Sequence, residues 1–331
     1  MTTIISVRII QMAITIVTLI PGCCFGQTAP TPRNNASIAY DPVKKVVLVY
    51  GGSAHTRGAI PMRDSAIWEW NGITWNKRTI APSLRADHGF AYDIKNQRIL
   101  IAGGAFSYNA TKSIEYDDTW AFQNQQWSKV TSNKILKRFH GAFTYAQNQN
   151  SFILFSGYTP ETNELLKGVW ALSRNNWIHI NTQNEPPARF LNSVFYDPKN
   201  DAIILIGGAD LDNKPFHEMW MLKENKWTVL NENVPALIMN SHGATAMGET
   251  GNYVIVHSSF DTNTCETWIW DGAQKSWKKV KGPHPRPRNN TSIVYDDARK
   301  CVVMFGGETG VNSTNEVWEL PGGQSGWIKR F

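Results

Sequence analysis

Five arginines, Arg33, Arg85, Arg138, Arg189 and Arg288, recur in the chain, four of them at intervals of roughly fifty residues. Groups able to hydrogen-bond or carry a proton follow at the corresponding positions: Asn35, Asp87, His88, His140, Asn192, His242 and Asn290. A guanidinium is a planar fork of donors that grips a carboxylate with two parallel hydrogen bonds, and imidazole exchanges a proton near neutrality. Gathered at one opening, Arg33, Arg85, His88, Arg138, His140, Arg189, Asn192, His242 and Arg288 could bind a carboxylate or a sugar acid. A plainer use competes with this one. Asp118, Glu218, Glu266 and Glu316 each stand two residues before a tryptophan and could lock the arginines in place. The first and third copies carry Ala66 and Gly168 there, with Asp64 as a substitute in the first. Pairing within a copy would leave Arg138 without such an acid. Pairing from one copy to the next would leave Arg85 and Arg189 so, and the sequence leaves both open. Because buried charges need partners, most of the arginine set is expected to be structural.

Other chemistry is thinly represented. The chain has no His-Glu-x-x-His, Cys-x-x-Cys, Gly-x-Ser-x-Gly or phosphate-loop pattern, which leaves zinc hydrolysis, esterase and P-loop chemistry unsupported. Neither a metal nor a cofactor is expected. Five Asn-x-Ser/Thr sequons occur, of which Asn109 and Asn312 fall in long loops.

The elements that must position these groups are legible from tryptophan. Pairs fall at Trp68/Trp75, Trp120/Trp127, Trp170/Trp177, Trp220/Trp227, Trp268/Trp277 and Trp318/Trp327, which accounts for all of the 14 except Trp70 and Trp270. Those two lie two residues past the first member of a pair and so share its face on an extended strand. Upstream of each pair is a short β-branched run ending in small residues, such as Val46 to Gly52 or Ile203 to Gly208. Such runs read as buried strands. Earlier still comes Arg-x6-Tyr, as in Arg33/Tyr40 and Arg288/Tyr295, and Asp follows four of the five tyrosines as a turn former. The fifth copy diverges, with Asn240 for Arg, Met247 for Tyr and Ser258-Ser259 for Gly-Gly.

The order Arg, Tyr-Asp, apolar run with Gly-Gly, Trp, Trp resembles the kelch repeat from about Arg33 to Trp327. The resemblance implies an all-β fold: a six-bladed kelch-type β-propeller with four antiparallel strands per blade. We label these A (Arg to Tyr), B (the apolar run), C (first Trp) and D (second Trp). Blades are expected at about 33–80, 85–132, 138–182, 189–232, 239–281 and 288–331. One such sheet cannot cover both of its faces, so radial stacking must do it, with Trp filling the wedge between blades and Gly-Gly admitting a neighbour's side chain. The last copy is complete in itself, so closure is expected to rest on packing between blades one and six. The B–C and D–A connections share the face that carries the long loops, where sites are expected. Cys265 and Cys301 would open strands at opposite ends and stay free thiols.

The compartment is read from the first residues. Arg8, the apolar run Ile9 to Ile20 and the break at Pro21-Gly22 fit a signal peptide over residues 1–26, leaving the propeller over 27–331, secreted or periplasmic. The rival is a lipobox that would acylate Cys23. No second segment is long enough to span a membrane. The net charge is +6, with the basic residues scattered rather than massed in runs, which gives no surface for nucleic acid. A monomer is expected. Kelch propellers include binding modules, scaffolds and enzymes, so the fold alone assigns no activity. The leading reading is a module that binds a glycan or protein through the long-loop face. The alternative is an enzyme similar to the periplasmic kelch mutarotase that acts on sialic acid, with Arg and His at the channel mouth. The Glu-x3-Asp-x3-His pattern of the iron-binding kelch specifier proteins is absent, and nothing around Cys265 or Cys301 resembles the copper site of galactose oxidase.

Overall fold

A computed structural model describes residues 29–54, 64–109, 112–130, 137–138, 140–159, 161–235, 243–259, 262–310, 312–322 and 326–331. The expected signal peptide with Cys23, and Asn240 and His242, lie outside the described residues.

The first repeat folds as Ser37–Asp41, Val46–Tyr50, Ala66–Trp70 and Trp75–Ile80, hydrogen-bonded in that order as one antiparallel sheet. Every residue of Val46–Tyr50 is buried, because this β-branched strand is covered on both faces. Trp75–Ile80 is mostly exposed beyond Trp75, as befits an outermost strand. The described residues form six such four-stranded sheets, and the one helical turn among them is the 3-10 turn Gly248–Thr250. The fold is the all-β, six-bladed propeller that the repeat implies.

Each blade joins the next through an apolar core. Val47, Val49, Trp68, Trp70 and Trp75 of the first blade pack on Cys301, Val303, Phe305 and Val317 of the sixth. The sixth sheet is built from Ser292–Asp296, Cys301–Phe305, Val317–Pro321 and Ile328–Lys329, so packing does close the ring. Glu319 fastens this seam by accepting hydrogen bonds from Trp70 Nε1 at 3.1 Å, from Arg330 and from Arg299.

The second tryptophan of every pair enters the core shared with the preceding blade. Trp177 Nε1 donates to Thr119 Oγ1 at 2.9 Å and Trp327 Nε1 to Thr267 Oγ1 at 2.8 Å, so these indoles find polar partners across the blade boundary. The first tryptophan behaves differently. Trp68 is buried, but Trp120, Trp170, Trp220, Trp268 and Trp318 are half-buried. Trp120, Trp268 and Trp318 donate to the carboxylates of Asp118, Glu266 and Glu316 at the open end of strand C, as buried Trp68 does to Asp64.

The fifth blade departs from the pattern that constant spacing suggests. Elsewhere the tyrosine pairs with the residue four before the first small residue, as Tyr40 does with Val47, but here Val254 pairs with Thr245. The A–B connection is two residues longer than in blade one, because it winds through the 3-10 turn and reverses at Gly251 in the left-handed region (φ 74°). Met247 therefore leaves the tyrosine position and packs against the core shared with blade six. Cys265 and Cys301 are free thiols, and burial raises the pKa of both, that of Cys301 to about 12.

Candidate functional site

The arginines are spent on the scaffold. In each, Nη1 donates to a backbone carbonyl eighteen residues on, that of Gly51, Gly103, Ser156, Gly207 or Gly306, at 2.8–3.1 Å. Their guanidinium groups also meet acids at the start of strand C of their own blade. Arg33 pairs with Asp64 at 2.7 Å, Arg85 with Asp118 at 3.0 Å, Arg189 with Glu218 at 3.5 Å and Arg288 with Glu316 at 2.7 Å. Pairing is thus within a blade, and Asp64 does stand in for the missing acid of the first. In blade three, where Gly168 replaces the acid, burial lowers the pKa of Arg138 to about 10. Arg85 and Arg189 also lie over Tyr116 and Phe216 at 4.0 Å.

Each lock ties the start of strand A to the end of strand B. The next blade's chain crosses closely here: a Cβ on Gly51 (φ +70°) would sit 2.3 Å from the Arg85 carbonyl and 2.5 Å from His88 Cε1, while in blade three Ser156 takes the position at φ 54° and donates to the crossing Arg189 carbonyl. What Gly-Gly admits is therefore mainly neighbouring backbone, with His88 beside it, rather than a large side chain alone.

Burial by itself would raise the Glu316 carboxyl, but hydrogen bonds from Lys329, Arg288 and Trp318 outweigh it and bring the pKa down to about 2. A depressed carboxylate contributes stability that is complete above its unfolded pKa, roughly 4.3, and is lost as pH falls toward the folded value. The melting temperature should fall as pH drops from about 5 to 2. Glu316→Gln should lower stability at neutral pH and flatten that acid limb, as calorimetry across the range would read.

Two residues past each arginine the backbone turns left-handed. Asn35, Asp87, His140, Leu191 and Asn290 all have φ between 49 and 55°. Asn, Asp and His tolerate this region best, which fits four of the five. Asn35, Asp87, His88, His140 and Asn192 line an axial cavity of about 140 Å³ on the long-loop side. The five arginines do not line it, being folded back into their locks, so the structure divides the candidate residues into two sets. Below, Ile38, Phe90, Phe143, Val194, Ala244 and Ile293, one from each blade, form an apolar waist. Beyond the waist the channel widens to a second cavity of about 830 Å³, opening among the short A–B turns. Its wall includes Tyr40, Tyr92, Tyr145, Tyr196 and Tyr295. Burial pushes the hydroxyls of Tyr40, Tyr92 and Tyr196 up to about 12, so they stay protonated.

The histidines in the upper cavity shift in opposite directions. Burial, reinforced by the nearby Arg85, drives His88 down to about 3, which keeps it neutral. Burial would lower His140 as well, but Asp87, 3.1 Å from its Nδ1, overrides this and raises it.

Residues 140–330 match the family described as the KLHDC2/KLHL20/DRC7 Kelch-repeats domain, more than half of the chain. The chain belongs to the kelch-repeat family. The kelch propeller is also similar to a RING finger domain and kelch repeat-containing protein of Dictyostelium discoideum, with 28% identity over 198 residues. That match covers 59% of this chain and 18% of the Dictyostelium protein. Kelch propellers typically serve as protein-interaction modules, so the family directs attention to the outer surfaces as much as to the channel. Among the described residues of this one, no helix is long and apolar enough to cross a membrane, and no three His, Cys, Asp or Glu are grouped to hold a metal ion.

The long-loop face carries the irregular structure. Small hairpins stand on it: Ala105–Asn109 with Lys112–Glu115, Tyr158–Thr159 with Glu164–Leu165, and Glu308–Thr309 with Asn312–Ser313. Sequence reading placed long loops there but missed the hairpins, two of which have strands of only two residues that leave no periodic signal. It also missed the left-handed ring, although the run of Asn, Asp, His and Asn at one repeat position was a usable sign of it.

Proposed function

We propose that this kelch propeller is an exported polypeptide-binding module that presents its long-loop face to a partner protein. The observation that carries the reading is the contrast between the two faces. One holds irregular hairpins above a platform braced by buried arginine locks, whereas the other has short turns between strands A and B. Loops on a rigid scaffold bind with little ordering cost. Kelch membership supports a protein rather than a glycan as partner, and no observation favours the sugar-acid isomerase alternative.

Cross-linking mass spectrometry of captured polypeptides on the full-length protein would test the face used. Cross-links are expected at Lys167 and Lys214 of the loop face. A map concentrated on Lys44 and Lys199 of the opposite turns would overturn the assignment. Export rests on the leader over residues 1–26. N-terminal sequencing of protein recovered outside the cytoplasm should begin at Gln27. A diacylglyceryl group on Cys23 would replace secretion with anchoring, and an intact Met1 in a cytoplasmic fraction would end the export reading.

A further inference from the structure

Leu191 is the odd member of the left-handed ring. It has φ 55° at a position where Asn35, Asp87, His140 and Asn290 stand in the other described blades, and a leucine there is strained. Packing does not explain the choice. Leu191 is half-exposed, belongs to none of the six interblade cores, and is skipped by a ladder that pairs Phe190 with Ala209 and Asn192 with Gly207. Beside it Phe190 lies 6.3 Å from Tyr158 and 6.3 Å from His140 between ring centroids, giving an aromatic lip at the mouth between blades three and four. The segment of the Tyr158–Leu165 hairpin as far as Lys167, and the loop that follows the strand Ala202–Ala209, carry Glu161, Glu164, Asp210 and Asp212 against only Lys167 and Lys214. Glu161, Glu164 and Asp212 are exposed, an acidic edge on a chain whose net charge is +6.

We propose that this lip is the docking point of the module and that it takes a polypeptide segment with a large apolar side chain flanked by Lys or Arg. The apolar side chain would lie on Leu191, Phe190 and Tyr158, and the basic residues would meet Glu161, Glu164 and Asp212. The proposal rests on the polypeptide-binding reading above. It also accounts for the strained leucine, since strain retained against the local preference is a mark of function.

A phage-displayed random heptapeptide library panned on the full-length protein tests it, with affinities of the enriched peptides then read by fluorescence anisotropy. Enriched peptides should carry a net positive charge and Leu, Phe or Trp, and their affinity should fall as salt rises. Leu191→Asn should raise the melting temperature while weakening binding by about tenfold, a combination that a packing role would not give. Glu164→Lys, on the exposed hairpin, should weaken binding severalfold without changing the fold. Enrichment of acidic peptides, or a lower melting temperature for Leu191→Asn, would overturn the proposal. Peptides that bind equally well to both variants would reject this lip and leave the polypeptide-binding reading standing. No enrichment of any peptide would reject both.

Discussion

Arg85→Ala should lower the free energy of unfolding by about 3–5 kcal/mol, the largest single loss expected from any of the arginines. The side chain is 0% exposed. Its Nη1 serves the Gly103 carbonyl at 2.8 Å and Asp118 at 3.0 Å, while Nε and Nη2 reach Ser83 Oγ at 2.9 and 2.6 Å. Truncation would strand a buried carbonyl and a carboxylate, open a void beside Tyr116, and loosen the crossing of Arg85 over Gly51 that joins two blades. Lysine keeps the charge but not the fork, so Arg85→Lys should lose about half as much. Arg286 is 74% exposed, and its replacement by Ala should stay within about 0.5 kcal/mol of wild type. Urea unfolding followed by tryptophan fluorescence would rank the three. An Arg85→Ala midpoint indistinguishable from wild type would show that the locks do not brace the ring.

Trp227→Ala should cost a comparable 3–5 kcal/mol, roughly, by a different route. This indole is 1% exposed between blades three and four, with its ring 5.3 Å from Phe155 and near Ile153, Leu205 and Ala171. Nothing nearby can collapse into the space, because the surrounding strands are fixed by their own ladders. Trp227→Phe keeps most of the contact and should lose only about 1–2 kcal/mol. Trp127, the equivalent residue of blade two, is half-buried and should tolerate alanine better than Trp227 does. Equal losses at the two positions would mean that interblade burial is not what these indoles supply.

Much of the architecture was legible in the chain because a repeat cannot hide its period. The tryptophan pairs and the buried apolar runs between glycines, such as Val46–Tyr50, pointed to a common unit and to six copies of it. The Arg-to-carbonyl interval of eighteen residues is equally a property of the sequence, since it spans one hairpin of nearly constant length. Blade five shows where such reading stops. Its spacing from Asn240 to Ser258 is unchanged, yet two residues moved from strand A into the turn, so Thr245 rather than Met247 faces Val254. Counting residues cannot reveal a shift that leaves the count intact.

The candidate site divides along the same line. Sequence determined that arginines, histidines and amides would gather at one end of strand A, because each repeats at a fixed place in a fixed unit. Whether the arginines would meet the acids of their own blades or those of neighbouring ones was compatible with the spacing, and the fold chose the first, as Arg85 with Asp118 shows. Only the assembled ring decided that the guanidinium groups turn into the scaffold while Asn35, Asp87, His88, His140 and Asn192 line the axial cavity, and that an apolar waist divides the channel. The reason is physical: which side chains converge on an axis depends on how six sheets tilt about it, and that angle is set by the packing between blades, which no single repeat contains.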